Sequence, residues 1–358
     1  MSNLEPKYTL FDSVEQMLAP ERLGKLLSQP ITHVEIQPMT GHSGLAGSKL
    51  SYVNTDAGQY VLKRMSITSD WVMFASNDYQ CRSIKLWQYG LLDLLYPHLE
   101  HKIIACSRDG NDWAMLMGDL TGKVFLWGQP FPPALMPTFL DALARVHATF
   151  WNDPRLQDPR LGLNDLAHVL EIVPKARKYT GNSLGVIPEW IRTGWAVMKD
   201  MLAPEVYTQM LNFFENPKPL INAVGRYPTT LLHGDFRKEN LAHNGKPVFL
   251  DWQAATRSLM IIDLAWFTKH GDIQNAMSME DALSYYRERL ETHLGQTFAE
   301  KDWQAMVALG YGVDALQWIC FAANFYQGEE KPDSRAWLKN SVEIHGQRVM
   351  DAVRWISS

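Results

Sequence analysis

Cysteine is scarce in this chain of 358 residues: Cys81, Cys106 and Cys320 are the only three, they lie far apart, and no CxxC joins any two. That argues against a disulfide framework or a zinc knuckle and suits a reducing, cytoplasmic setting. Basic excess is lacking too. Lys and Arg total 34 against 39 Asp and Glu, a formal net charge of −5, so no broad basic face for nucleic acid is expected. No stretch reads as approaching the length of a membrane span, and the richest apolar run near the polar motifs, Leu259 to Phe267, is broken by Asp263. Met1 to Leu10 carries Glu5 and Lys7 and no apolar core of the kind a secretory leader has. There is no G-x-S-x-G and no cysteine near the polar motifs, which leaves a hydrolase using His233 as base without a nucleophile. His233 and His243 are too few and too isolated for a metallohydrolase.

What is present is ordinary globular material. Apolar residues make up 46% and charged residues 20%, enough for a sizeable core, and the length suits one large domain or two lobes sharing a cleft. The 13 tryptophans are expected in packing rather than in ring stacking on a ligand. Phe11 to Gln29 reads as a helix with capping-box spacing at Ser13 and Gln16. Val34–Gln37, Lys49–Asn54 and Gln59–Lys63 read as strands, the last two joined by a turn at Thr55–Gly58. A helix is expected over Asp70–Leu95 with Ser69 as its cap, then a hairpin of Lys102–Cys106 and Asp112–Met117. Beyond Gly118 the periodicity turns helical, over Met136–Trp151, Pro188–Met201, Pro204–Asn216, Asp281–Leu294, Asp302–Tyr326 and Ser334–Trp355. The fold class expected is α+β: residues 1–117 as a lobe with a small antiparallel sheet, residues 118–358 as a larger, mostly helical lobe.

The densest chemistry lies in Leu231-Leu232-His233-Gly234-Asp235-Phe236-Arg237-Lys238-Glu239-Asn240, followed by Pro247-Val248-Phe249-Leu250-Asp251-Trp252. The apolar residues before His233 and before Asp251 read as two short strands flanking a polar loop, which puts Asp235, Asn240 and Asp251 at one rim. Phosphoryl transfer needs such a trio. One carboxylate must orient the attacking hydroxyl and accept its proton. A second carboxylate and a carboxamide oxygen must hold Mg²⁺ against the phosphates. Asp235 and Asn240 have the D-x-x-x-x-N spacing of kinase catalytic loops.

These motifs resemble the aminoglycoside phosphotransferase and choline kinase-like superfamily, whose fold is that of protein kinases. The resemblance includes Asp263-Leu264-Ala265 and the helix Leu143–Trp151, and it runs from about residue 38 to 267. It implies Asp235 as catalytic base, with Arg237 beside it in the catalytic loop, Asn240 and Asp251 as Mg²⁺ ligands, and His233 as a residue that shapes the loop. It implies ATP or GTP as the phosphate donor. The nucleotide would be held by Lys63 at the end of Val61-Leu62-Lys63, by Gly41, Ser43, Gly44 and Gly47 of a glycine-rich turn, and by Met117 and Asp119 at the junction of the lobes.

Two departures accompany the resemblance. Kinases pair the strand lysine with a glutamate on the next helix, yet residues 70–95 contain no Glu and Ser83 stands where it is expected. Lys63 is therefore expected to meet a shorter acid such as Asp78, or no carboxylate until nucleotide binds, and to be more mobile than a standard kinase lysine. Arg237 stands where relatives carry His or Lys, and either a γ-phosphate or Glu239 could be its partner. The acceptor should be a small molecule. Asp251 and Asp263 are only twelve residues apart and neither D-F-G nor A-P-E is present, so there is no room for a peptide-docking segment. Trp252, Trp266 and Trp318 suit an acceptor pocket or the core. Glu329, Glu330 and Asp333 suit a cation site or a solvated loop. A nucleotide-binding pseudokinase is the competing reading.

Overall fold

Pro20 breaks the first expected helix in two. The computed structural model describes residues 4–40, 45, 47–181 and 183–356. In it Ser13 caps α1 (Val14–Leu18) by accepting the Gln16 N–H at 3.1 Å, and Gln16 Oε1 returns a bond to the Asp12 N–H at 2.8 Å. Ala19 leaves the helical region, as a residue before proline tends to, and Pro20 opens α2 (Pro20–Leu27).

Five strands follow the expected alternation: β1 (Val34–Pro38), β2 (Lys49–Thr55), β3 (Gly58–Met65), β4 (Ile103–Asp109) and β5 (Asp112–Gly118). They form one antiparallel sheet in the order β1-β2-β3-β5-β4. Strand β3 is central. Because side chains alternate across a strand, Leu62 enters a cluster with Met17, Leu23, Val53 and Leu116 beneath α1 and α2, while Lys63 takes the opposite face.

Between β3 and β4 the long helix expected over Asp70–Leu95 is absent. In its place are α3 (Trp71–Ala75), α4 (Arg82–Gln88) and a short 3₁₀ turn over Leu92–Leu95. Asn77 and Cys81 adopt positive φ, both 53°, which no continuous right-handed helix admits. The cap is Asp70 rather than Ser69: Asp70 accepts the Met73 N–H at 3.1 Å.

The remainder is mostly helical. It comprises α5 (Met136–Thr149), α6 (Leu166–Lys178), α7 (Ile187–Met201), α8 (Pro204–Glu215) and α9 (Lys218–Val224), then α10 (Ile261–Thr268), α11 (Gly271–Ala276), α12 (Met279–Leu294), α13 (Glu300–Gly328) and α14 (Pro332–Ile356). Four short strands lie between α9 and α10: β6 (Thr230–Leu232), β7 (Leu241–His243), β8 (Pro247–Phe249) and β9 (Thr256–Ser258). They form two separate pairs, β6 with β9 and β7 with β8. The strands before His233 and before Asp251 are thus not partners of each other.

Helix α13 corrects the sequence expectation about apolar length. Its 29 residues are long and apolar enough to cross a membrane, by length and composition, and 83% of its apolar window is buried inside the protein. That surface packs against α7, α10 and α14, the use a core helix makes of the same composition.

Candidate active site

The loop between β6 and β7 is fixed from beneath by one carboxylate. Asp263, fully buried in the first turn of α10, accepts the backbone N–H groups of His233 at 2.6 Å and Gly234 at 2.9 Å. His147 of α5 reaches the same carboxylate at 3.4 Å and meets the Tyr286 hydroxyl at 2.5 Å with its other nitrogen. Gly234 has φ +79°, and a Cβ there would sit 2.0 Å from the Ala254 carbonyl oxygen, so only glycine fits the turn. Both ring nitrogens of His233 are engaged. Nε2 donates to the Leu250 carbonyl at 2.7 Å, and Nδ1 accepts the Asp235 N–H at 3.3 Å. His233 therefore joins the loop to the segment that carries Asp251.

Asp235 comes next and both its oxygens are aimed. Oδ1 accepts the indole N–H of Trp266 at 2.9 Å. Oδ2 accepts Asn240 Nδ2 at 2.9 Å and Arg237 Nε at 3.2 Å. Its side chain keeps 29% exposure, so a reactant can still reach it. Arg237 also reaches Glu239 at 3.3 Å, so its partners within the chain are the two flanking carboxylates. Burial opposes its charge, but Asp235, Glu239 and Asp251 outweigh that and hold the guanidinium pKa above its ordinary value.

Asn240 and Asp251 are brought together by the β7–β8 pair. Asn240 directly precedes β7, Asp251 follows β8 by one residue, and the Leu250 N–H donates to the Asn240 carbonyl at 2.8 Å. Asp251 sits in the left-handed region at φ +62°, a conformation that turns the chain sharply at this rim. Burial pushes its pKa up, yet the Lys63 ammonium, with His233 and Arg237, leaves it below the usual carboxylate value.

Lys63 projects from β3 into this group. Its Nζ lies 2.8 Å from Asp251 Oδ1 and 3.3 Å from Gln253 Oε1. The acid that meets it is therefore Asp251, not Asp78. With 8% exposure and two partners, Lys63 is not the loosely held lysine the missing glutamate suggested. Asp78 is taken by Arg82: it accepts the Arg82 N–H at 3.0 and 3.1 Å, and the two side chains approach to 3.7 Å. Arg82 is almost wholly buried. Its guanidinium donates to the carbonyls of Gly162 at 3.0 Å and Gln253 at 3.3 Å and to Ser76. Asp70 lies behind Gln253. Burial lifts its pKa, against the pull of Gln253 and Lys63.

Three of the expected nucleotide residues, Gly41, Ser43 and Gly44, lie outside the described residues. Gly47 has φ +105°, and a Cβ there would fall 1.9 Å from the Ser69 carbonyl oxygen, so the end of the glycine-rich turn lies directly on the start of α3. Met117 pairs across the sheet with Val61 and Ile103 near the end of β5. Asp119 closes its own turn, accepting the N–H and hydroxyl of Thr121 at 2.9 and 2.7 Å. Trp252 is core, 1% exposed, its indole donating to the Phe249 carbonyl at 3.3 Å.

Sequence reasoning missed Gln253, the grip of Trp266 on Asp235, and a sealed ionic group behind Trp266. There Lys269 Nζ lies 3.1 Å from Asp314 Oδ1, both side chains fully buried, with His345 3.6 Å from the other oxygen. Burial pulls the Lys269 pKa down to about 7, against the pull of Asp314. Asp314, buried as well, is held at about 2 by Lys269, His345 and Arg348.

The family model for the phosphotransferase enzyme family matches residues 40–303. Among solved structures, amicoumacin kinase hAmiN, in complex with AMP-PNP, Ca²⁺ and Ami, superposes with a TM-score of 0.54 at 12% identity, over 94% of this chain and 95% of that one. Choline kinase LicA from Streptococcus pneumoniae gives 0.50 at 14% identity, over 96% and 99%. A choline kinase from Cryptosporidium parvum gives 0.50 at 11%, over 90% of each chain. No curated protein matches. At these identities the likeness is one of fold: a five-stranded antiparallel sheet followed by a mostly helical part, as in the protein kinase-like superfamily.

Proposed function

This chain belongs to the phosphotransferase enzyme family, and from that premise we propose that it moves the γ-phosphate of ATP or GTP to a hydroxyl of a small molecule, with Asp235 as the catalytic base. The observation that carries the reading is the setting of Asp235. Three side-chain donors hold its carboxylate, it remains partly exposed, and a lysine and two further oxygen donors stand on the adjoining segments. The hydroxyl proton passes to Asp235. The acceptor oxygen then bonds to the γ-phosphorus as the bond from that phosphorus to the bridging oxygen breaks, and nucleoside diphosphate leaves. Arg237 acts as a positioning residue, holding Asp235 and Glu239 apart while balancing their charge.

Asn240 and Asp251 fit Mg²⁺. Both offer hard oxygen, and Mg²⁺ commonly takes one or two protein ligands and fills its remaining positions with phosphate and water. Among the described residues no group of three or more His, Cys, Asp and Glu could hold a metal by itself. Bound there, the cation would neutralise phosphate charge. The relative solved with AMP-PNP and Ca²⁺ supports the use of a nucleotide with a divalent metal. Lys63 supplies charge for the α- and β-phosphates, and Gln253 and Asp251 hold it in the cleft meanwhile.

The test is nucleotide consumption with Mg²⁺ over a panel of hydroxylated metabolites. Asp235→Ala should lower kcat by about 10²–10⁴-fold, the usual worth of a general base, with nucleotide affinity changed by no more than a few fold. A mutant with near-normal turnover would remove Asp235 from the mechanism.

A further inference from the structure

Beyond Asp235 the helices carry information about the acceptor. Trp266 of α10 holds Asp235 Oδ1, and the neighbouring ring is Trp318 of α13, edge-on with centroids 6.4 Å apart. Asp314, Gln317, Trp318 and Phe321 recur at three- and four-residue spacing, so they share one face of α13. That face is turned to α10, because Asp314 meets Lys269 and Trp318 meets Trp266. His270, two residues past α10, packs against Trp318 with ring centroids 5.2 Å apart.

Four polar atoms of this cluster are buried and have no hydrogen-bond partner among the described residues: Nε1 of Trp318, Nε2 of Gln317, Nε2 of His270 and Oδ2 of Asp314, the last approached by His345 at 3.6 Å. Trp318 and Gln317 are only 6% and 7% exposed. Leaving a buried donor unpaired is costly, so native proteins seldom keep such donors without a use. An indole N–H can only donate, and so can a carboxamide NH₂. The charges bearing on His270 are those of Lys269, Arg237 and Lys238 against that of Asp314, with Lys269 paired to Asp314 and Arg237 to Asp235 and Glu239. The rings, meanwhile, already serve a cation of the chain itself. Lys269 Nζ lies 2.8 Å from the Trp266 ring centroid and 4.5 Å from that of Trp318. A ring that holds one ammonium is a poor host for a second, since like charges across it repel.

We propose that the acceptor carries a carboxylate as well as the hydroxyl that receives the phosphate, and that Trp318, Gln317 and His270 form its anion site. The proposal rests on phosphoryl transfer at Asp235. The carboxylate takes no part in bond making; it seats the molecule so that its hydroxyl faces Asp235.

The full-length protein with Mg²⁺ and ATP is tested against hydroxy acids (glycerate, serine, 4-hydroxybutyrate and aromatic hydroxy acids) beside glycerol, ethanolamine and choline. Calorimetry measures binding and nucleotide depletion measures turnover. The best hydroxy acid should exceed glycerol, ethanolamine and choline in kcat/KM by about tenfold or more, the worth of charge-assisted hydrogen bonds. Gln317→Met, of similar volume, should raise KM for that acid by about tenfold. It should also raise the melting temperature of the acceptor-free protein, because an unpaired buried donor is gone. Faster turnover of choline or glycerol overturns the anion site and leaves phosphotransfer standing. Hydroxy acid binding without nucleotide consumption overturns phosphotransfer and leaves the anion site standing. Failure of every hydroxy acid to bind overturns the proposal. A Gln317→Met protein that melts lower with KM unchanged makes Gln317 a packing residue.

Discussion

Two lysine–aspartate pairs stand near the loop from His233 to Asn240, and their surroundings differ. Lys63 and Asp251 meet at 2.8 Å where strand β3 faces the loop, with 10% and 35% of their side chains exposed. Lys269 and Asp314 meet at 3.1 Å with none exposed. In the first pair water can reach the partly exposed carboxylate, so the contact is an exchangeable one. In the second nothing outside the protein can take the partner's place. One chemical pair thus stands in two settings: the open one joins β3 to the segment that carries Asp251, and the closed one lies against Trp266 and Trp318. The contrast can be broken or sharpened in three ways.

The largest effect is expected from the closed pair. Lys269→Met leaves Asp314 without its nearest countercharge, and breaking a fully buried pair costs about 3–5 kcal/mol. Chemical denaturation should show that loss, and Lys269→Met with Asp314→Leu should recover much of it, since the buried charge is then gone. A loss near zero would mean that His345 and Arg348 alone satisfy Asp314.

The open pair should give the reverse pattern. Lys63→Ala should cost about 1 kcal/mol or less of stability, as water can solvate what remains of a part-exposed pair. Its nucleotide affinity should fall by about tenfold or more through the lost charged contact. Unchanged affinity in a nucleotide titration would leave Lys63 with a purely structural place in the cleft.

A third test of the contrast is in pH. The folded-state pKa of Lys269, near 7, lies below its ordinary value of 10.5. Between those values the unfolded chain binds a proton that the folded chain has released, so stability rises with pH across that window. The groups that set it are Asp314, Asp235 and Arg348, with His345 on the far side of Asp314. Melting curves from pH 7 to 10 should show the wild type gaining on Lys269→Met as pH rises. A constant difference would mean that the ammonium keeps its proton throughout.

How far each feature could be read from the sequence follows how local its cause is. The sheet was legible because alternation and turn residues are written within a few positions, as at Thr55–Gly58 and Gly110. The loop from His233 to Asn240 stood out because its polar residues crowd together directly after an apolar strand. The break after α3 was not: Asn77 and Cys81 hold left-handed conformations with neither Gly nor Pro to announce them. Helix α6 escaped notice because Pro174 lies within it. The split between α1 and α2 was announced by Pro20, and the apolar stripe hid it. The partners of Lys63 depend on contacts across 188 to 190 positions, with Asp251 and Gln253, which no local pattern encodes. The Lys269–Asp314 pair, 45 positions apart on two helices, was hidden for the same reason.

Arg82 has a consequence for control. In protein kinases the helix after the lysine strand governs activity by moving toward or away from the site. Here α4, the second helix after β3, is bolted down. A guanidinium in its first turn grips Gly162 from the helical part and Gln253 from the segment beside Asp251. Swinging it outward would strand several buried polar groups at about 1–3 kcal/mol each. A throttle of that design would have to break these contacts before the helix could move.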